Sequence, residues 1–193
     1  LTFGRLDAGD RDARALEGGL ELRLQGRLHL DRGSRAGDLH HRHLAEEVRR
    51  LLDVQPGDTV VDATFGAGGH AVVLAEDPTG EGKYVAIDRD PGVKPYFESF
   101  RRRAGVKTRF LAGDFADVLE RFADNGRGAD AVLFDLGVSS MQLDRPERGF
   151  SYAADAPLDM RMDPTADVSA RELVNEASER ELLVRLIRVD NEQ

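Results

Sequence analysis

The chain has 193 residues, a net charge of −9, 40% hydrophobic and 33% charged residues, and no cysteine. That length holds one substantial domain, or one domain plus a small appendage, and the lack of thiols excludes disulfides, thiolate metal sites and a cysteine nucleophile. The acidic balance argues against tight non-specific nucleic-acid binding, which needs many Lys and Arg contacts to phosphate, but leaves open an RNA read as a folded shape. No apolar run approaches the ~18 residues of a membrane helix and no leader pattern opens the chain, so a cytoplasmic enzyme without membrane contact is expected.

Residues 1–39 hold seven Arg, seven acidic residues and no Lys, with little helical periodicity. Leu20, Leu22, Leu24, Leu28 and Leu30 alternate around Gln25-Gly26 as a small hairpin does. The segment reads as an extension or as disorder. Leu44, Val48, Leu51 and Leu52 then share one helical face, and Pro56-Gly57-Asp58 ends that helix. An α/β alternation follows. Strands are expected at Thr59–Ala63, Lys83–Asp88, Thr108–Ala112 and Ala131–Asp135, with helices through Val72–Leu74, Val93–Arg103 and Val118–Phe122. This order implies a parallel, Rossmann-like sheet with helical crossovers. After Asp163 the pattern turns helical. Ser169–Glu172 and Ser178–Glu181 are S-x-x-E capping boxes, and Leu182, Leu183, Leu186 and Ile187 give the second helix an apolar face.

Gly66-Ala-Gly68-Gly69-His70-Ala71 matches G-x-G-x-x-A between a strand and a helix, a turn that lets a nucleotide cofactor approach the backbone. Asp88 ends the second strand and can take both hydroxyls of a ribose, as NAD and S-adenosylmethionine both require. Asp62 opposes a pyrophosphate but suits the cationic amino-acid end of S-adenosylmethionine, directly or by ordering the glycine loop. Gly113-Asp114-Phe115 follows the third strand, where an adenine can stack on Phe115. Asp135 closes the fourth strand beside the glycine loop. An acid or aromatic at each of four strand ends is a methyltransferase layout. His70 has no second His or carboxylate at metal-ligand spacing, so no metal is expected and a capping or backbone-orienting role is assigned to it.

The run from Asp135 to Asp163 mixes charges, serines and a buried-type aromatic, the composition of a functional loop. Arg145, Arg148 and Arg161 form one candidate RNA patch. Arg101, Arg102, Arg103, Lys107 and Arg109 form another, better read as a solvated helix face.

The chain resembles the bacterial 16S rRNA cytosine-N4 methyltransferases of the MraW-like family. The matching segments are Val60-Val-Asp-Ala-Thr-Phe-Gly-Ala-Gly-Gly-His70, Ala86-Ile-Asp-Arg-Asp-Pro91, Phe134-Asp-Leu-Gly-Val-Ser-Ser140, Gln142-Leu-Asp144, Glu147-Arg-Gly-Phe-Ser151 and Pro157-Leu-Asp-Met-Arg-Met-Asp-Pro164. The resemblance implies a class I S-adenosylmethionine-dependent fold and methylation of a cytidine in the decoding region of the small ribosomal subunit. It places the methionine end of the cofactor on Gly68, Gly69 and His70 within the turn that starts at Gly66, the ribose on Asp88 and the adenine near Phe115. Asp135 and Gln142 complete that pocket. Asp135 is the candidate catalytic residue, holding the target amine by a hydrogen bond. Ser139, Ser140 and Phe150 are candidates to grip a base drawn from its stack, with Arg145 and Arg148 on flanking phosphates.

Three parts are expected: an extension at 1–39, which has no counterpart in the family, and, as the resemblance implies, the cofactor-binding domain at 40–163 and the start of a helical insertion at 164–193. Family members continue with further strands beside the fourth strand, so the chain is expected to be truncated, with that strand's edge uncovered. Two departures are His40-His-Arg-His-Leu44, where the family carries a Pro, and the ending Arg188–Gln193. A methyltransferase for another substrate, an NAD-dependent oxidoreductase and a non-catalytic fragment are the competing readings. The sequence sets no oligomeric state.

Overall fold

The computed structural model describes residues 2–5, 26–27 and 37–183. Most of the expected hairpin at 20–30 lies outside the described residues, as do Leu186 and Ile187. Contacts divide the chain into two compact units after Gly137, whereas the sequence motifs suggest a boundary after Asp163.

The first unit is built on six strands: β1 (Thr2–Arg5), β2 (Gly26–Arg27), β3 (Thr59–Asp62), β4 (Lys83–Asp88), β5 (Lys107–Ala112) and β6 (Ala131–Phe134). Their order is β2-β1-β6-β3-β4-β5. The four strands β6, β3, β4 and β5 are parallel, with Val61 opposite both Val85 and Val132. The helices are α1 (Gly37–Leu52), α2 (Ala71–Leu74), α3 (Lys94–Arg101) and α4 (Phe115–Asp124). Pro95 in its first turn starts α3, because a missing N–H costs nothing there. Asp114 caps α4 by accepting from the Ala116 amide at 3.0 Å.

The strands alternate faces with period two, so each side of the sheet buries a different set. Val61, Val85, Ile87 and Val132 pack with Val118 and Phe122 of α4. Rings fill another part of the core: Phe65 lies 5.7 Å from Phe97 and Tyr84 lies 5.2 Å from Phe100, both edge-on. Each buried ring contributes on the order of 2 kcal/mol through removed apolar area.

The expected open edge of β6 is paired. Residues Thr2–Arg5 run antiparallel along it, with Thr2 opposite Phe134 and Arg5 opposite Ala131. A bare row of N–H and C=O groups accepts any strand that can reach it, and sequence pattern cannot tell which segment that is. The sheet has β4 on one side of β3 and β6 on the other, so the chain changes direction at β3. Ligands of open α/β sheets bind at the carboxyl ends of strands beside such a switch point.

The second unit contains α5 (Ser140–Leu143), a single 3-10 turn at Pro146–Arg148, and α6 (Ala170–Glu176). Ser169 caps α6 through the expected box, with Glu172 accepting from the Ser169 amide at 2.8 Å. Glu181 accepts from the Ser178 amide at 2.8 Å in the same way.

Candidate functional site

The glycine turn begins where β3 ends. Asp62 is 1% exposed, and its carboxylate accepts from the Tyr84 hydroxyl at 2.7 Å and from the Thr64 amide at 3.1 Å. Burial pushes its carboxyl up to about 6, against the opposing pull of those two hydrogen bonds. Burial together with the neighbouring Asp62 charge pushes the Tyr84 phenol up as well. Of the two roles open to Asp62 in the sequence, the geometry selects loop ordering: both oxygens face protein donors inside the core.

Gly68 takes φ +80°, and a Cβ there would stand 2.8 Å from the Phe65 ring, which is itself packed against Phe97 and Phe100. At Gly69 a Cβ would meet nothing within 4 Å, so the turn keeps open space on that side. A ligand can therefore lie against the backbone here.

Asp88, at the end of β4, braces the same turn. One carboxylate oxygen accepts from the Gly66 amide at 2.8 Å and the other from the Asp90 amide at 2.8 Å. Burial raises its carboxyl from the ordinary carboxylate value. A carboxylate offers about four lone-pair sites, and the backbones of Gly66, Asp90 and Arg89 take three of them, which leaves acceptor capacity for a hydroxyl.

Asp135 lies one residue past β6 and is 46% exposed. Its amide donates to the Thr64 hydroxyl at 2.7 Å, and its carboxylate stands 3.4 Å from Nε2 of His70. The fold thus brings to His70 a carboxylate that local spacing did not reveal. His70 is at the N-cap position of α2 but makes no side-chain capping bond; its carbonyl accepts from Val73 and Leu74 instead. The capping role expected for its side chain is corrected accordingly. Nδ1 of His70 is buried without a hydrogen-bond partner among the described residues.

Phe115, at the start of α4, sits edge-on to Phe134 with centroids 5.4 Å apart and packs on the core cluster. It is half-buried, so part of the residue stays open to solvent while the rest packs on the core.

Within the second unit, Gln142 is 4% exposed and its side-chain oxygen accepts from the Ser139 amide at 3.0 Å. The Ser139 hydroxyl is buried without a hydrogen-bond partner among the described residues, while Ser140 is exposed. Arg148 departs from its expected place on phosphate. Its guanidinium donates to the carbonyls of Arg161 and Met162 at 3.0 and 2.9 Å and lies 5.7 Å from the Phe150 ring centroid. Arg161 grips Asp159 with two nitrogens at 2.8 and 2.7 Å and the Ala166 carbonyl at 2.9 Å. That fork holds the Asp159 carboxyl at about 2. Both arginines fasten the loop. Arg145 is exposed. Of the other basic cluster, Arg101 pairs with Glu98 at 2.8 Å and Arg103 donates to the Ser99 carbonyl, as a solvated helix end does.

Two contributors escaped the sequence reading. Thr64 was visible only as a hydroxyl after an acid at a strand end, and Tyr84 looked like a plain core aromatic. A cleft of about 580 Å³ lined by Arg49, Glu76, Asp77, Phe100 and Arg103, among others, shares no residue with the strand-end site. No helix among the described residues is long and apolar enough to cross a membrane.

The model of the MraW methylase family matches residues 38–193. The chain is 45% identical over 143 residues to the ribosomal RNA small subunit methyltransferase H of Rubrobacter xylanophilus, covering 74% of this chain and 45% of that protein. It is 43% identical over 147 residues to the protein of the same name from Trichlorobacter lovleyi, covering 75% and 47%. For that of Methylobacterium sp. the identity is 46% over 150 residues, covering 76% and 44%. The chain spans about half the length of the curated relatives it matches.

Proposed function

Since the chain belongs to the MraW methylase family, we propose that it methylates the N4 amine of a cytidine in the decoding region of 16S rRNA, using S-adenosylmethionine. It acts in the cytoplasm on the small ribosomal subunit. The observation that carries the reading is the convergence of Asp88, the open glycine turn and the His70–Asp135 pair at the carboxyl ends of β4, β3 and β6. The residues fit the cofactor: Asp88 keeps acceptor capacity for a ribose hydroxyl, Gly69 leaves room for close approach, and the buried Nδ1 of His70 has a polar need unmet by the described residues.

When bound, S-adenosylmethionine supplies a methyl group on sulfonium, whose C–S bond breaks with its electrons to sulfur as the N–C bond forms. The cytosine amine is a weak nucleophile because its lone pair is conjugated with the ring. Asp135 therefore orients that amine by accepting one of its hydrogens, and alignment is the main service asked of the protein. The carboxylate then accepts the proton that the methylated amine sheds and passes it to solvent, to which Asp135 is open. Ser139, Ser140 and Phe150 hold the extruded base, and Arg145 meets a flanking phosphate. Gln142 braces Ser139 and so orders the first turn of α5.

The test is incubation of the chain with unmodified small subunits and labelled S-adenosylmethionine, followed by nucleoside mass spectrometry. N4-methylcytidine is expected. Asp135→Asn should slow transfer by about a hundredfold, far more than it weakens cofactor binding. No label, label on another base, or undiminished transfer by the variant contradicts the reading.

A further inference from the structure

Asp135 lies just beyond β6, where the sheet no longer sets its conformation. Its backbone and its carboxylate are instead held by different residues. The amide donates to the Thr64 hydroxyl, a 2.7 Å bond across 71 residues of sequence. Thr64 is itself fixed, because its own amide donates to Asp62 at 3.1 Å and Asp62 is anchored on the buried Tyr84 hydroxyl at 2.7 Å. A continuous run of hydrogen bonds therefore leads from the core of β4, through the end of β3, to the first residue after β6. On the carboxylate side, Nε2 of the largely buried His70 stands 3.4 Å from Oδ2.

A hydroxyl that satisfies a loose amide is commonplace. Here the residue so held is the one that meets the reacting amine, and displacement by about 1 Å costs on the order of a hundredfold in a step that depends on alignment. We propose that Thr64 and His70 are positioning residues for Asp135, Thr64 setting its backbone and His70 aiming its carboxylate. This rests on the function proposed above.

Two kinds of measurement on the full chain test it. In NMR at one fixed pH, the His70 Nε2 resonance, assigned by its loss in His70→Gln, is expected to move in Asp135→Asn. It should move the same way in Thr64→Val, which keeps the side-chain shape and removes the acceptor, and return in Thr64→Ser. A resonance unmoved by Asp135→Asn overturns the role of His70; one unmoved by Thr64→Val overturns that of Thr64. In single-turnover transfer at saturating cofactor, Thr64→Val should be about tenfold slower with an unchanged Kd for S-adenosylmethionine, and Thr64→Ser should recover the rate. Affinity lost in step with rate, or no recovery with Ser, makes Thr64 a merely structural residue and overturns the proposal. A wild-type chain that transfers no methyl contradicts the proposed function alone, and the NMR comparison then decides the positioning by itself.

Discussion

The strand ends and the loop beyond them use charge in opposite ways. At the ends of β3, β4 and β6 the chain is held by strand pairing and by side chains next to it: Asp88 braces the glycine turn, and Asp135, just past β6, is held at its amide by Thr64 and stands beside His70. Among the described residues of the second unit no sheet does that work. Arg148, Arg161 and Asp159 are spent on tying residues 148–171 together, through carbonyls and a two-pronged ion pair. The Met160 amide adds a bond to the Arg148 carbonyl at 3.0 Å, and Ala170 one to Asp159 at 2.7 Å. Charged residues are thus spent on holding the chain where strand pairing does not hold it.

The largest expected break in this contrast is Gly149→Ala. Gly149 has φ +74°, and a Cβ there would strike the Pro157 carbonyl and stand 2.7 Å from the Asp159 nitrogen. Backbone strain and clash together should cost the loop about 4 kcal/mol. Hydrogen exchange should show loss of protection at Met160 and Ala170, while amides of β3 and β4 keep theirs.

Asp62→Asn probes the strand ends. The wild-type carboxyl titrates near 6 when folded and near 3.8 otherwise, so the native state holds its proton more tightly. That contribution to stability is full below pH 3.8 and is lost as pH rises through 6. Urea unfolding of wild type and Asp62→Asn should therefore show a stability difference that moves against wild type by about 2–3 kcal/mol from pH 3.8 to 7.5. A difference that is flat in pH would mean that Asp62 is not buried as described.

Arg148→Ala has a smaller effect, about 1.5 kcal/mol from two charge-assisted hydrogen bonds and a contact with the Phe150 ring. It should loosen the loop. Arg145→Ala should leave exchange protection intact and instead flatten the salt dependence of small-subunit binding by about one counterion. If the two variants exchange these signatures, the division between strut and phosphate contact is reversed.

Much of the first unit was legible because its evidence is local. Alternating strands and helices set the parallel sheet, and Gly66–His70 announced an open turn after β3. What could not be read was pairing over distance. Tyr84 reaches Asp62 across adjacent strands, and Thr64 reaches Asp135 across the switch point. Both look ordinary in sequence because their partners are set only by strand order. Thr2–Arg5 on the edge of β6 was hidden for the same reason. The bonds of Arg148 were hidden differently: carbonyls have no sequence signature, so a guanidinium that also serves as a strut cannot be told from the pattern.

Isothermal titration of the chain with S-adenosylmethionine, beside Asp88→Asn and with NAD as the competing ligand, tests the account most directly. One saturable site is predicted for S-adenosylmethionine, weakened about tenfold or more by Asp88→Asn, which removes a charged acceptor from the ribose. No binding, tighter binding of NAD, or equal affinity in Asp88→Asn would contradict a cofactor site at these strand ends.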